Sequence, residues 1–307
     1  MFFLCLRRIF GIIPVTWLVL TFTFLMLRYI PGGPFDYERT LPPEALAAIE
    51  DYYGHGEPLA VQYMHFFGKI LSGDLGPSYR QVGWSVWELV SYKMMVSFTL
   101  GACALLLSIC TALALGIVQA MGHGSWWDRL LNHGELLLLC IPAYVLGPIL
   151  SHIFAGKLHW INAFGWGNFS QGILPVITLA TYSAAFMGRL IRNGMHEQWS
   201  QLYVRTAVAK GLSPWKIFFH HVLLNGIQPF ISYLGPCCAA ILSGTFVVEN
   251  LFNIPGMGRL FIHSIYDRDY AVISGILLIY SFLIVICNLL SDILLLLIDP
   301  RIQRREN

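Results

Sequence analysis

The stretch Leu202-Tyr203-Val204-Arg205-Thr206-Ala207-Val208-Ala209-Lys210-Gly211-Leu212-Ser213-Pro214-Trp215-Lys216 is the most informative part of this chain. Residues 203–210 are helix-compatible and end on a basic side chain. Gly211 suits the stop position just past a helix, where φ is positive at no side-chain cost. Ser213 fits an N-cap and Pro214 the first helical position, so a second helix begins within about three residues. The spacing therefore predicts two helices joined by a sharp corner, forming a small apolar and basic knob. Small residues at 207 and 209 would admit another protein's backbone, and Tyr203, Leu212 and Trp215 could fill a groove on it, a known docking mode. An amphipathic helix pair lying on a membrane surface fits the same residues. Physics alone leaves both readings open.

The surroundings of this stretch are those of a membrane protein. Of 307 residues, 56% are hydrophobic and 12% charged, whereas a soluble domain carries about a quarter charged residues. Adding the 28 glycines brings the apolar share to roughly 65%, too high to cover one or two globular domains with polar surface. Most of the surface must face lipid. A transmembrane helix needs about 20 mainly apolar residues, and six regions approach that length almost without charge: 9–30, 96–120, 136–156, 171–189, 228–249 and 271–298. The first, preceded by Arg7 and Arg8, exceeds a signal-peptide core of about 7–15 residues and lacks an A-x-A cleavage site, so it reads as a retained anchor helix.

Lys and Arg placement sets the orientation, because short cytoplasmic loops hold the excess. With the N-terminus inside, the cytoplasmic set is Arg7, Arg8, Arg129, Arg189, Arg192, Arg205, Lys210, Lys216, Arg301, Arg304 and Arg305, which is 11 of the 19. Five of the other eight, Arg28, Arg39, Lys69, Arg80 and Lys93, border or lie in one long outer segment, where the rule has little force. Lys157, Arg259 and Arg268 alone oppose the assignment. Both termini are thus expected in the cytoplasm, together with the 202–216 corner. The outer segment, about 31–95, is net acidic and punctuated by Pro and Gly, which bracket short helices near 43–53 and 58–71. It reads as a helical cap on the membrane surface, too short for a domain with its own core.

Tyr203 to Leu212 resembles the cytoplasmic "EAA" loop of type I ABC importers, in the Arg-Thr-Ala form of the peptide subfamily. Arg205-Thr206-Ala207 stand at the Glu-Ala-Ala positions and Gly211 at the fixed glycine, with His221, Leu224, Asn225 and Pro229 continuing the pattern. Pro31-Gly32-Gly33-Pro34, Gly73-Asp74-Leu75-Gly76, Phe252 to Arg259, Arg268-Asp269-Tyr270, Asn288 to Asp292 and Asp299 to Ile302 resemble further family signatures in order. Leu202, where an acid is common, Gly33 in place of Asp, and a short outer loop at about 156–172 depart from the pattern. The chain is therefore similar to the inner-membrane permease subunit of bacterial dipeptide/oligopeptide ABC importers.

That resemblance implies an all-α polytopic membrane protein with six transmembrane helices and the type I importer permease fold. Residues 1–95 would hold the first helix and periplasmic segment, and 96–307 the transmembrane domain, with its ATPase-coupling loop at about 195–226. It further implies that Tyr203, Arg205, Thr206, Ala207, Ala209, Lys210 and Gly211 form the surface that docks on a cytoplasmic ATP-binding subunit. The implied partners are a second homologous permease, two ATP-binding subunits, a periplasmic peptide-binding protein, peptide substrate and the lipid bilayer. The nickel or small-solute branch of the family is the nearest alternative, and an ion-coupled secondary transporter or a membrane enzyme are rivals of other classes.

Several chemistries have no residues to support them. No G-x-x-x-x-G-K-[ST] phosphate loop is present, so ATP hydrolysis would fall to partner subunits, and neither H-E-x-x-H nor G-x-S-x-G occurs. A net charge of +2 without a basic run gives no nucleic-acid patch. The seven cysteines lie in or beside apolar stretches without C-x-x-C spacing and read as packing residues. His220-His221 point to different sides of a helix, so neither a metal site nor a cofactor is expected there or elsewhere. Glu135 and Asp292, near predicted span ends, read as interfacial or helix-packing residues.

Overall fold

The computed structural model describes residues 13–25, 52, 56–81 and 83–298. Helices dominate, and the β features among the described residues reduce to an isolated bridge between Pro77 and Ser85. In chain order the helices are α1 (Ile13–Leu25), α2 (Leu59–Leu71), α3 (Val86–Met121), α4 (Trp126–Cys140), α5 (Ala143–Leu150), α6 (Phe169–Trp199), α7 (Leu202–Ala209), α8 (Pro214–Ile217), α9 (Gln228–Leu251), α10 (Met257–Asp267) and α11 (Tyr270–Ile298). A π-helical turn, Ser151–Lys157, prolongs α5, and a second, Phe218–Leu223, carries α8 into the short helix Leu224–Gly226.

Among the described residues, four helices are long and apolar enough to cross a membrane, namely α3, α6, α9 and α11. The expected third span is broken: α4 and the α5 segment meet at an angle of 104° around Ile141 and Pro142. Proline removes an N–H and disfavours helical backbone before it, and Ile141 is accordingly extended, with ψ of 112°. Of the expected first span, α1 is the described part, 13 residues within 9–30; the helix expected near 43–53 lies outside the described residues except for Tyr52. Pro175 and Pro236 sit inside α6 and α9 without ending them.

Two spans outrun their apolar windows. At ~1.5 Å per residue α3 is about 54 Å long and α6 about 46 Å, against a hydrocarbon core of about 30 Å. The surplus of α3 holds Glu88 and Lys93, and that of α6 holds Arg189, Arg192 and His196. Polar side chains at these ends place whole helical turns outside lipid, which an apolar window cannot register.

The described residues form two compact units. The first comprises 98–254 and 284–298. Its centre is α6, against which α4, α5, α9 and the 218–226 segment pack. The most apolar window of α6 is 56% buried, compared with 28–39% for the other three spans, so α6 is the inner helix while the others keep faces open to lipid or to partners. Glu135 on α4 is 2% exposed; it accepts a hydrogen bond from Gln119 Nε2 at 2.7 Å and lies against Gly188, the helix-packing role expected of it.

The second unit comprises 13–25, 52, 56–81, 83–97 and 255–283. Phe24 on α1 meets Tyr63 edge to face and packs tilted against Phe66 on α2, and Thr21 Oγ1 pairs with the Tyr63 hydroxyl at 2.7 Å. Arg268, in left-handed backbone, ends α10. The following Asp269 is buried, and its carboxylate takes bonds from the Ser78 hydroxyl and from the backbone N–H groups of Tyr79 and Arg80. Burial pushes the Asp269 carboxyl above its ordinary range, while these donors pull the other way. Asp269, in the Arg268–Tyr270 signature, thus fastens the outer segment at Ser78–Arg80 to the turn before α11.

Candidate functional site

The corner predicted at 203–216 forms through the local demands of its residues. Leu202–Ala209 is helical and Gly211 has φ of 74°. The Leu212 N–H bonds the Ala207 carbonyl at 3.3 Å and the Gly211 N–H bonds the Val208 carbonyl at 2.9 Å, the paired pattern of a Schellman stop. Ser213 then caps α8 by accepting from the Lys216 N–H, with Pro214 in the first turn. A side chain added at Gly211 would meet open space within this chain, so what the fold itself asks of glycine there is the backbone angle.

The second arm folds back on α6. Ile217, Phe218 and Val222 are each at most 3% exposed, and full burial of such side chains contributes about 1.5–3 kcal/mol apiece. Closest approach comes at Gly194 on α6 and Gly226: a Cβ at Gly194 would stand 2.2 Å from the Gly226 carbonyl oxygen, and one at Gly226 2.8 Å from the Met195 Cα. Backbone rests on backbone at this crossing, with no flexible side chain between the two segments.

Tyr203 locks the two arms together. Its hydroxyl donates to Gln198 Oε1 at 2.5 Å and lies 3.2 Å from the His221 carbonyl. Asn225 Nδ2 donates both to that hydroxyl at 3.1 Å and to the His221 carbonyl at 3.0 Å. One phenol therefore joins the end of α6, the start of α7 and the returning segment. Asn225, which the family pattern already included, and Gln198, Gly194 and Gly226, which sequence reading missed, complete this part of the site; the two glycines matter only through a segment distant along the chain, and Gln198 through the turn that brings Tyr203 back to it.

The expected surface residues divide by helical face. Arg205, Thr206, Ala209, Lys210 and Gly211 are exposed, and Tyr203 shows 39% of its surface despite its hydrogen bonds. Ala207 is 4% exposed and faces inward with Val204. Three residues apart, these two share one side of α7, so Ala207 is a packing residue of the loop and Ala209 is the small residue left exposed. Leu202, Val208, Trp215 and Phe219 add exposed apolar surface, the last two stacked with ring centroids 5.9 Å apart.

Comparison with known proteins agrees with this architecture. Residues 112–304 match the family model described as the binding-protein-dependent transport system inner membrane component. The chain belongs to this family. Residues 1–87 match the companion model for the N-terminal part of such membrane components. The oligopeptide transport system permease protein OppB of Haemophilus influenzae is 36% identical over 299 residues, covering 97% of this chain and 98% of that protein. OppB of Escherichia coli K12 is 35% identical over 300 residues, with the same coverage. The dipeptide transport system permease protein DppB of Bacillus subtilis is 36% identical over 298 residues, 97% of each chain.

Among solved structures, the MetNI methionine ABC transporter in inward-facing conformations aligns with a TM-score of 0.58 at 13% identity, covering 69% of this chain and 96% of that one. An amino acid ABC transporter crystallised with histidines aligns with a TM-score of 0.53 at 18% identity, covering 70% and 94%. These likenesses establish the permease fold. As a member of the binding-protein-dependent family, the chain is a membrane transport component, and its part in ATP-driven transport is not that of an enzyme.

Proposed function

We propose that this chain is a permease subunit of an ATP-driven dipeptide/oligopeptide importer, forming half of the translocation pore and taking its drive from a cytoplasmic ATPase through residues 195–226. The observation that carries the peptide reading is full-length identity of about one third to permeases named for oligopeptide and dipeptide transport. The assembly has a second homologous permease, two ATP-binding subunits and a periplasmic peptide-binding protein, with both termini and the loop in the cytoplasm. Tyr203, Arg205, Thr206, Ala209, Lys210 and Gly211 form the coupling surface, with Ala207 holding α7 to its own chain. ATPase closure pushes the corner, and the Gly194–Gly226 crossing passes the displacement to α6. The division of the chain at about residue 95 into an N-terminal segment and a transmembrane domain is supported by the separate family matches at 1–87 and 112–304.

The test is ATP-dependent uptake of a labelled mixed-peptide pool in a permease-deleted strain, with this chain restored beside its native partner subunits. Restored uptake that unlabelled peptides compete and nickel does not is the expected result. Uptake left at the deleted strain's level, with the complex assembled and hydrolysing ATP, would transfer the function to the small-solute branch.

A further inference from the structure

A group of side chains apart from the coupling surface offers a set of metal ligands. Met121-Gly122-His123-Gly124-Ser125 turns the chain from α3 into α4, and Asp128 stands in the first turn of α4, facing His196 near the end of α6. One ligand atom from each of His123, Asp128 and His196 falls within 4.8 Å of the others. The two imidazole rings meet nearly at right angles with centroids 3.7 Å apart, and His123 Nδ1 is 3.9 Å from Asp128 Oδ2. We propose that His123, Asp128 and His196 bind a divalent transition-metal ion of the zinc class, fastening the turn between α3 and α4 to the end of α6 that leads into the coupling loop.

The state of each ligand supports this. His196 Nε2 is buried without a hydrogen bond of ordinary geometry, the Gln119 backbone being the ring's weak partner, and a metal bond would satisfy it more fully. His123 is 67% exposed, so its ring can swing inward to bring the donors to the closer spacing that bonds of about 2.0–2.2 Å require. Asp128 is 2% exposed and already oriented: Arg192 Nε and Nη2 reach its two oxygens at 2.6 and 3.0 Å, and the Gly124 N–H adds a third bond at 3.1 Å. A carboxylate has about four lone-pair sites, so one remains for the ion. The bonds from Arg192 and Gly124 hold it in place, as outer partners of a ligating carboxylate do.

Two imidazole nitrogens and one carboxylate oxygen suit Zn²⁺ and its neighbours in preference to Mg²⁺ or Ca²⁺, which favour oxygen throughout. Three protein ligands also leave a fourth position open to water. Only a short stretch of chain separates His196 from Leu202, so an ion here would stiffen the helix end from which α7 departs.

The test uses the assembled complex, purified, stripped with chelator and titrated with Co²⁺ and then Zn²⁺. One equivalent of Co²⁺ per copy of this chain should give a visible absorption of tetrahedral intensity that Zn²⁺ displaces. The complex carrying His123→Asn should lose that signal and bind Zn²⁺ at least tenfold more weakly at this site. The substitution is at an exposed position and leaves every cysteine and every nucleotide site in place, so background binding cancels between the two samples. Identical Co²⁺ spectra and Zn²⁺ uptake in the two complexes would overturn the proposal, as would the absence of Co²⁺ absorption from both.

Discussion

Gly211 occupies a position that a β-branched side chain enters only with strain of roughly 1–2 kcal/mol, although nothing lies within 4 Å to obstruct it. Substitution there therefore separates backbone angle from bulk. Gly211→Val should abolish transport or detach the ATP-binding subunits, whereas Gly211→Asn, which tolerates left-handed backbone, should retain most activity; peptide uptake together with co-purification of the ATPase reads both. Tyr203→Phe removes a hydroxyl that serves Gln198 and Asn225. The expected loss is about 1 kcal/mol of loop stability, seen as faster amide exchange across 200–226 with the membrane helices unchanged. Gly211, Ser213 and Pro214 were legible in the sequence because each answers a demand of its own backbone. The burial of Ala207 and the gathering of His123 with Asp128 and His196 were not, since side chains from separate segments meet there only after the helices have packed.

Among the elements, the arm formed by α6 and the 218–226 segment is the one that the proposed coupling loads, and its weakest tolerance is the glycine crossing. Gly194→Ala would drive a methyl group against the Gly226 carbonyl oxygen, and overpacking of this kind costs about 1–3 kcal/mol. A lowered melting temperature in detergent and less assembled complex are the expected outcome. A melting curve that matches the unsubstituted chain would show that the arm is loosely held and transmits little. Apolar length made the spans legible as elements. Their true ends were not: α3 and α6 continue as helix beyond the apolar windows, and the third span bends at Pro142, where one continuous window was expected.

For the whole molecule, the orientation rests on loop charge, and it is the coupling loop that gives the orientation its consequence. In a background without natural cysteines, Val208→Cys should be labelled by an impermeant maleimide only when the cytoplasmic face is open. Trp160→Cys, between the third and fourth spans, should be labelled from outside. Both residues are exposed in this chain, at 58% and 71%, so with the chain expressed without its ATP-binding subunits failure to react reports the side of the membrane and not burial. The reversed pattern would turn the loop away from ATP and end the account.

The central claim is that the exposed face of α7 seats on an ATP-binding subunit, and site-specific crosslinking tests it most directly. Ala209 is exposed and small, so Ala209→Cys carrying a short photoreactive crosslinker should disturb the loop little. In membranes holding the assembled transporter, illumination should join this chain to the ATP-binding subunit, in a yield that changes when ATP is bound and hydrolysed. If residue 209 instead stays open to soluble reagents throughout the cycle and crosslinks only to lipid, the loop is a surface helix pair and the coupling account is wrong.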